Sequence, residues 1–285
     1  MELLIGITSK NRAKILPKAI CSALRQTFAE KKIWVYDDAS EDNTTDLLKT
    51  FNNVSWSIGE TSKGLVWARN FFMQKEGYNY FCSLDDDAWF LENDAIEEAM
   101  LYLKSNPDVG ALGFDMLSPD APEKKTKNPY FCETNNFIGC GHIINLKAAK
   151  EIGYYTPNPG FYGAEEKDFC IRLIDLGYKI ITYKGKYVWH DKTMISRNLS
   201  AQHRSGVCND LVFTYRRAPF LTLIPLILIK IFKHAKFAVN HKPTSLISPF
   251  KDGFIDFIKW LLKGNTNRKA VSFKAFKRYT DLQKN

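Results

Sequence analysis

Residues 78–87 read Tyr78-Asn79-Tyr80-Phe81-Cys82-Ser83-Leu84-Asp85-Asp86-Asp87, an apolar run that ends in three consecutive aspartates. A short apolar run of this kind is typical of a buried β-strand. Adjacent carboxylates at a strand end repel one another unless a cation lies nearby, and their oxygen atoms suit a hard divalent cation. The alternative interpretation is an Asp-rich turn that merely ends the strand, because aspartate is common in turns.

Two earlier apolar runs also end in polar residues. Residues 2–7 are followed by Thr8, and residues 33–36 are followed by an acidic stretch that contains Asp38. A helical apolar pattern separates the two runs, which predicts right-handed crossover units and a mostly parallel sheet in an α/β fold. Since ligands bind outside the carboxyl ends of such strands, we expect Thr8, Asp38 and residues 85–87 in one crevice.

The size and composition of the chain limit the class of protein. With 285 residues and 45% hydrophobic content, it can form one large α/β domain, or such a domain with an appendage. The six cysteines include no Cys-x-x-Cys pair, which favours buried, reduced thiols over disulfides or zinc ligands. The first apolar run is too short for a secretory signal, so we expect a cytoplasmic protein.

Positive charge is concentrated near the end of the chain. Residues 1–200 carry 24 Lys and Arg against 27 Asp and Glu, whereas residues 201–285 carry 16 against 4. This contrast predicts a catalytic domain of residues 1–204 and a basic helical region of residues 205–285 that meets an anionic surface. No recognised nucleic-acid-binding module is present, so we do not expect nucleic acid as the partner.

The basic region also contains apolar segments. Residues 218–232 are strongly apolar but too short for a membrane span, and later segments are amphipathic and rich in lysine. This pattern is typical of helices that lie on an anionic leaflet, which predicts a peripheral protein on the inner face of the membrane. The alternative is that these helices pack on the catalytic domain or form a homodimer.

Several segments, in chain order, resemble glycosyltransferase family 2. They are Ile7-Thr8-Ser9-Lys10-Asn11-Arg12, Ala23-Leu24-Arg25-Gln26-Thr27, Val35-Tyr36-Asp37-Asp38-Ala39-Ser40, Lys63-Gly64 with Ala68-Arg69-Asn70, Leu84-Asp85-Asp86-Asp87, Gly163-Ala164-Glu165-Glu166-Lys167-Asp168 and Val188-Trp189-His190. The resemblance covers about residues 1–195. It implies the GT-A fold, a Rossmann-like sheet flanked by helices. It also implies inverting transfer of a sugar from a nucleotide-diphosphate donor, with a UDP-sugar favoured, to a glycan or lipid-linked glycan acceptor.

The resemblance also implies roles for individual residues. Asp87 corresponds to the metal-binding aspartate of the family, with His190 as a second ligand, and Mn²⁺ or Mg²⁺ suits such oxygen-rich ligation. Asp38 corresponds to an aspartate that faces uracil. The nucleotide-sugar-binding set is Thr8, Asn11, Arg12, Asp38, Lys63, Arg69, Asp85 and Asp86, in which Asp86 has only a supporting role.

Inverting transfer needs a general base that accepts the proton of the acceptor hydroxyl. The candidates are Glu165, Glu166 and Asp168, although an ion pair with Arg172 four residues later explains Asp168 without catalysis. Glu166 matches the catalytic aspartate of the family, and the longer side chain leaves the choice between Glu165 and Glu166 open.

The acceptor needs flat apolar surfaces against which its sugar rings can stack. Trp89, Phe161 and Tyr162 are expected to supply them, unless they are ordinary core aromatics. Three other functions remain possible from the sequence: a retaining transferase, a nucleotidyltransferase on a similar fold, and a membrane-associated nucleotide-sugar-binding scaffold without turnover.

Overall fold

The computed structural model describes residues 2–124, 126–192, 198–240, 246–264 and 268–283. Within these ranges the strands are β1 (Leu3–Ser9), β2 (Lys31–Asp37), β3 (Ser55–Ile58), β4 (Tyr80–Asp85), β5 (Ala88–Phe90), β6 (Val109–Leu117), β7 (Tyr130–Thr134), β8 (Gly141–Asn145) and β9 (Lys179–His190). The helices are α1 (Leu16–Leu24), α2 (Thr44–Lys49), α3 (Leu65–Met73), α4 (Ala95–Ser105), α5 (Leu146–Ile152), α6 (Glu165–Asp175), α7 (Leu199–Arg217), α8 (Phe220–Asn240), α9 (Ile247–Leu262) and α10 (Phe273–Leu282).

All the strands belong to one central sheet with helices packed on it, which confirms the predicted α/β class. The strand order is β3-β2-β1-β4-β8-β6-β9-β5, and β7 pairs with β9. Strands β3, β2, β1 and β4 are parallel, whereas β8 runs antiparallel to both of its neighbours, β4 and β6. The prediction of a mostly parallel sheet is therefore correct for the strands of the first half of the chain, whereas the strands of the second half pair in both directions.

The three polar strand ends reach one edge of the sheet, as the sequence predicts. In the register of β1, Thr8 lies opposite Tyr36 of β2 and Asp85 of β4. Parallel strands bring their carboxyl ends to the same side, and an apolar core cluster that includes Ile5, Val35 and Leu84 fixes that register.

The basic region forms helices α7–α10. Helix α7 begins at Leu199, so the domain boundary expected at residue 204 falls inside a continuous helix. An apolar cluster joins α7 through Val207 and Leu211 to Phe257 and Trp260 of α9. Among the described residues, no helix combines the length and apolar character that a membrane span requires.

A buried ion cluster joins helix α6 to α7. The Asp168 carboxylate is 2% exposed and accepts hydrogen bonds from Arg172 (Nε to Oδ2, 2.9 Å) and Arg217 (Nε to Oδ1, 2.5 Å). Arg172 also donates to the carbonyl oxygens of Ile152 and Tyr154. The predicted ion pair between Asp168 and Arg172 is confirmed. Through Arg172 and Arg217, the Asp168 carboxylate fixes the position of α6 against α7.

We expect Arg217→Ala to lower the free energy of unfolding by about 3–5 kcal/mol, because it leaves the Asp168 carboxylate buried without its second partner. Urea denaturation at neutral pH measures this change. The matched control is Lys49→Ala, which removes an exposed ion pair with Asp46 and costs about 0.5 kcal/mol or less. Equal losses in the two variants would contradict the structural role of the cluster.

Candidate active site

A cleft of about 1030 Å³ lies at the carboxyl ends of the parallel strands. It brings together most of the side chains selected from the sequence: Thr8, Arg12, Asp38, Lys63, Arg69, Asp85, Asp86, Asp87, Phe161, Tyr162, Glu165, Glu166 and His190. The segment that opens α6 therefore faces the strand ends across the cleft, although 78 residues separate Asp87 from Glu165 in the sequence.

Three of these residues form a group that could hold a metal ion. Asp85, Asp87 and His190 each place one ligand atom within 4.8 Å of the others. The short strand β5 explains this arrangement, because it follows Asp87 and pairs Ala88 with His190 of β9. His190 Nε2 lies 3.2 Å from Asp87 Oδ1.

The chemistry of this group fits a divalent cation. Two carboxylates and an imidazole are ligands for Mn²⁺ or Mg²⁺, and the set contains no soft sulfur atom. Burial raises the pKa of Asp85, and the guanidinium of Arg69 opposes that shift. Burial also raises the pKa of Asp86 to about 7, with a further increase from Asp87. Acids crowded in this way gain from a neighbouring positive charge.

Asp38, which directly follows β2 at the same sheet edge, organises the loop of residues 62–64. Its Oδ1 accepts a hydrogen bond from the backbone N–H of Lys63 (2.7 Å), and its Oδ2 accepts from Gly64 N (3.0 Å) and Ser62 Oγ (2.7 Å). Gly64 has φ 82°, a left-handed conformation that favours glycine. A carboxylate has about four acceptor sites, so Asp38 retains one for a ligand N–H.

Arg69 is the central cation of the site. Its side chain is 1% exposed, and it donates to Glu166 Oε1 (Nη1, 3.0 Å), Asp85 Oδ1 (Nη2, 3.4 Å) and the Gly139 carbonyl (Nη2, 2.8 Å). It therefore lies beneath the cleft and ties a metal-site carboxylate to a carboxylate of α6. Sequence reasoning placed Arg69 at the donor and missed its contact with Glu166.

Glycine at position 139 makes room for the longer acid at position 166. A Cβ atom there would collide with Glu166 Oε1 and lie 3.1 Å from Arg69 Nη2. The loop itself is held by His142, whose Nδ1 lies 3.1 Å from the Gly139 carbonyl oxygen. The carboxylate of Glu166 therefore occupies space that the absence of a side chain at Gly139 leaves open.

The two glutamates have different surroundings. Burial raises the pKa of Glu165 to about 7, and the adjacent Glu166 carboxylate adds to this shift. Glu166 instead pairs with the permanently charged guanidinium of Arg69. Near neutral pH, Glu165 therefore carries a proton for much of the time, which favours Glu166 as the acceptor of a proton.

Three of the selected side chains lie outside the cleft lining. Asn11 links two loops, because its Oδ1 accepts from Glu41 N (2.7 Å) and its backbone N–H donates to Ser40 Oγ (2.8 Å). Trp89 packs on Trp189 and lies under the Lys18 ammonium, so it does not form the expected wall. Asp168 is held in its buried ion cluster, which separates it from the cleft.

Two residues that line the cleft, and one that anchors its loop of residues 160–163, were missed from the sequence. Trp67 lines the cleft on α3, with the Lys63 ammonium 4.5 Å from its ring centroid, and Lys192 lines it just beyond His190. Asn209 of α7 is fully buried and bonds to Gly160 and to the carbonyl oxygens of residues 162 and 163. A basic residue near His190 was a usable signal, whereas nothing in the sequence indicated Asn209.

Comparisons with known proteins bear on the family and the fold of this chain. The model of the family "Glycosyl transferase family 2" matches residues 4–157. A relative from Escherichia coli, "UDP-Glc:alpha-D-GlcNAc-diphosphoundecaprenol beta-1,3-glucosyltransferase WfgD", is 27% identical over 149 residues. That alignment covers 49% of this chain and 58% of the relative, so the chain matches little more than half of the relative's length.

Solved structures share the fold at low sequence identity. Residues 1–349 of TarS from S. aureus, in complex with UDP, have a TM-score of 0.64 and 16% identity, and the match covers 91% of this chain and 80% of that chain. The mannosyltransferase PcManGT of Pyrobaculum calidifontis, in complex with GDP-Man and Mn²⁺, has a TM-score of 0.60 and 14% identity. This match covers 99% of this chain and 86% of PcManGT. The chain shares its fold with these two structures, and it belongs to glycosyl transferase family 2.

Proposed function

We propose that the protein is a metal-dependent, inverting glycosyltransferase that moves a sugar from a nucleotide-diphosphate donor, with a UDP-sugar favoured, to a hydroxyl of a glycan. The observation that carries this proposal is the cleft in which Glu166 faces the group formed by Asp85, Asp87 and His190. A base and a group that could hold a divalent cation, on two walls of one cleft, match the needs of a single displacement at the sugar.

The donor is assigned to the wall formed by the strand ends and α3. The free acceptor site of Asp38 accepts the imide N–H of uracil, Thr8 lies beside it, and Trp67 offers a flat face for the base. Arg12, Lys63 and Lys192 supply positive charge along the path of the phosphates. Asp85, Asp87 and His190 would hold a divalent cation, which stabilises the negative charge of the departing nucleoside diphosphate.

Glu166 is assigned as the general base. Arg69 fixes its carboxylate, and Gly139 leaves room for it, so that one oxygen faces the acceptor hydroxyl and takes its proton as the new bond forms. Phe161 and Tyr162 are 73% and 49% exposed at the mouth of the cleft, where acceptor sugar rings can stack on them. Burial raises the pKa of Glu165 to about 7, so at neutral pH the side chain is partly protonated, and in that form it donates a hydrogen bond to the substrate.

A panel of nucleotide sugars tests the activity. We expect the purified chain, supplied with Mn²⁺ or Mg²⁺, to release a nucleoside diphosphate from one or two donors, with inverted configuration in the product. Retention of configuration would indicate a retaining transferase, and release of inorganic pyrophosphate would indicate a nucleotidyltransferase. Donor binding without release, unchanged in Glu166→Ala, would indicate a nucleotide-sugar-binding scaffold.

We also propose that helix α8 binds an anionic membrane surface, which suits a lipid-linked acceptor such as the diphosphoundecaprenol-linked sugar for which WfgD is named. Leu221, Ile224, Leu228 and Phe232 recur at helical spacing and are 86%, 70%, 60% and 67% exposed. Lysines lie beside this apolar face, and the region from residue 201 onward is strongly basic. Apolar side chains inserted among acyl chains and lysines near headgroups are typical of interfacial helices.

The double substitution Leu228→Glu with Phe232→Glu is expected to weaken binding to phosphatidylglycerol vesicles by about tenfold or more, because two apolar side chains no longer insert. Vesicle flotation measures the bound fraction. Leu101→Glu is the matched control, since Leu101 is 61% exposed on α4, far along the chain from the basic region. Unchanged flotation of the double variant would contradict the membrane role of α8.

A further inference from the structure

A second cavity, of about 550 Å³, adjoins the catalytic cleft. It lies between the loop of residues 159–161 and helices α7 and α9, and Gly160 and Phe161 line both spaces. None of the roles assigned above uses this cavity. Because it lies beside the proposed acceptor wall, this cavity is a candidate site for binding the part of the acceptor next to the reacting sugar.

The loop between the two spaces is preformed. Asn209 Oδ1 accepts from Gly160 N (2.8 Å), and its Nδ2 donates to the carbonyl oxygens of Gly160, Tyr162 and Gly163. A side chain at Gly160 would meet Asn209 and Ser205 within about 3 Å, so the loop lies directly against α7. The wall that separates cleft from cavity is therefore narrow and fixed in position.

The cavity carries an excess of positive charge. Arg204, Lys259 and Lys263 line it together with a single acidic residue, Asp256. Arg204 donates to both oxygens of Asp256, at 2.6 Å from Nε and 3.0 Å from Nη2. Among the described residues no salt bridge involves the ammonium groups of Lys259 or Lys263, although Lys259, after Arg204, helps to lower the pKa of Asp256. Such a lining suits an anion with two negative charges, because lysine and arginine are common phosphate ligands.

Helix α9, which lines the cavity, also carries an exposed apolar face. Ile255, Ile258 and Leu262 of α9 recur at helical spacing, and they are 47%, 37% and 81% exposed. Lys259 and Lys263 directly follow two of these residues, so their charges lie along the edge of an apolar helix face. A molecule with an anionic headgroup and a hydrocarbon chain would match both features.

We propose that this cavity binds the diphosphate of a prenyl-diphosphate-linked acceptor, an inference that rests on the lipid-linked acceptor of the proposed function. The acceptor sugar passes over Phe161 into the cleft, towards Glu166, and the hydrocarbon chain leaves along α9 towards the membrane surface. The two cavities share a wall because a sugar and the diphosphate that carries it are directly bonded. The diphosphate makes its contacts here whether or not a donor is bound.

Direct binding of farnesyl diphosphate to the full chain, without donor or metal, tests the site by calorimetry. We expect Lys259→Glu with Lys263→Glu to weaken this binding at least tenfold. The matched control is Lys251→Glu with Lys277→Glu, which makes the same charge change at exposed positions outside the cavity lining. We expect the control variant to bind farnesyl diphosphate as tightly as the wild type does. Farnesol, which lacks the phosphates, should show no measurable binding to the wild type or to either variant.

Equal losses in the two double variants would overturn the site, since they would indicate general attraction to a basic surface. Displacement of farnesyl diphosphate by phosphatidylglycerol vesicles in both wild type and control would overturn it too, because any lipid phosphate would then suffice. Transfer activity is a separate readout. If no donor is consumed yet the cavity variants lose binding, the transferase proposal fails and the site stands. If transfer proceeds and all variants bind alike, the site fails alone.

Discussion

Asp87→Ala is expected to lower nucleoside diphosphate release by at least about two orders of magnitude at saturating donor. Asp87 belongs to the Asp85, Asp87 and His190 group, and its loss removes a carboxylate from the place where negative charge develops on the leaving group. We further expect the residual rate to respond only weakly to added Mn²⁺ or Mg²⁺. Steady-state kinetics across a metal titration measure both effects.

The control for this substitution is Asp46→Ala, which removes an exposed acid on α2 outside the cleft. It should leave the rate and its metal dependence unchanged. A wild-type protein that turns over equally well in excess chelator would rule out the metal role of this group. Comparable rates in wild type and Asp87→Ala would remove that role from Asp87 alone.

Glu166→Gln is expected to lower kcat for transfer by a factor of about 10²–10⁴, the usual contribution of a general base, while KM for the donor changes little. The amide keeps the size of the side chain and can still accept a hydrogen bond from Arg69, but it cannot take a proton. Rapid-quench kinetics with the donor found in the panel separate the chemical step from release. An unchanged chemical rate would exclude Glu166 as the base.

Glu165→Gln is the matched comparison, because it makes the same chemical change at the adjacent residue. The pKa of Glu165 is raised to about 7, so below this pH the wild-type side chain is already neutral and the amide imitates it. We expect nearly wild-type rates at pH 6. Above pH 7 the wild-type residue ionises and the variant does not, so the two pH profiles should diverge there. A larger loss at pH 6 than that of Glu166→Gln would reverse the two assignments.

Much of the fold and part of the site follow from local patterns. The apolar runs that become β1, β2 and β4 predict buried parallel strands, and the rule for ligand sites in α/β sheets places Thr8, Asp38 and Asp87 together. Periodicity also predicts the amphipathic helices of the basic region. The antiparallel insertion of β8 was not predicted, because a short apolar run does not indicate whether a strand pairs parallel or antiparallel with its neighbours.

The sequence by itself determined which side chains meet at the strand ends, because each is fixed by its place on a strand and parallel strands end together. It also predicted a divalent cation beside them, since the oxygen atoms of clustered carboxylates suit such an ion. Only the tertiary structure decided where each acid lies: Asp168 is buried against Arg217 outside the cleft, whereas Glu166 lines the cleft and pairs with Arg69, which lies 97 residues earlier in the chain. It also decided that Asn209 anchors the loop between two cavities. Such partners meet because distant helices pack on one sheet, and no local pattern of residues encodes those contacts.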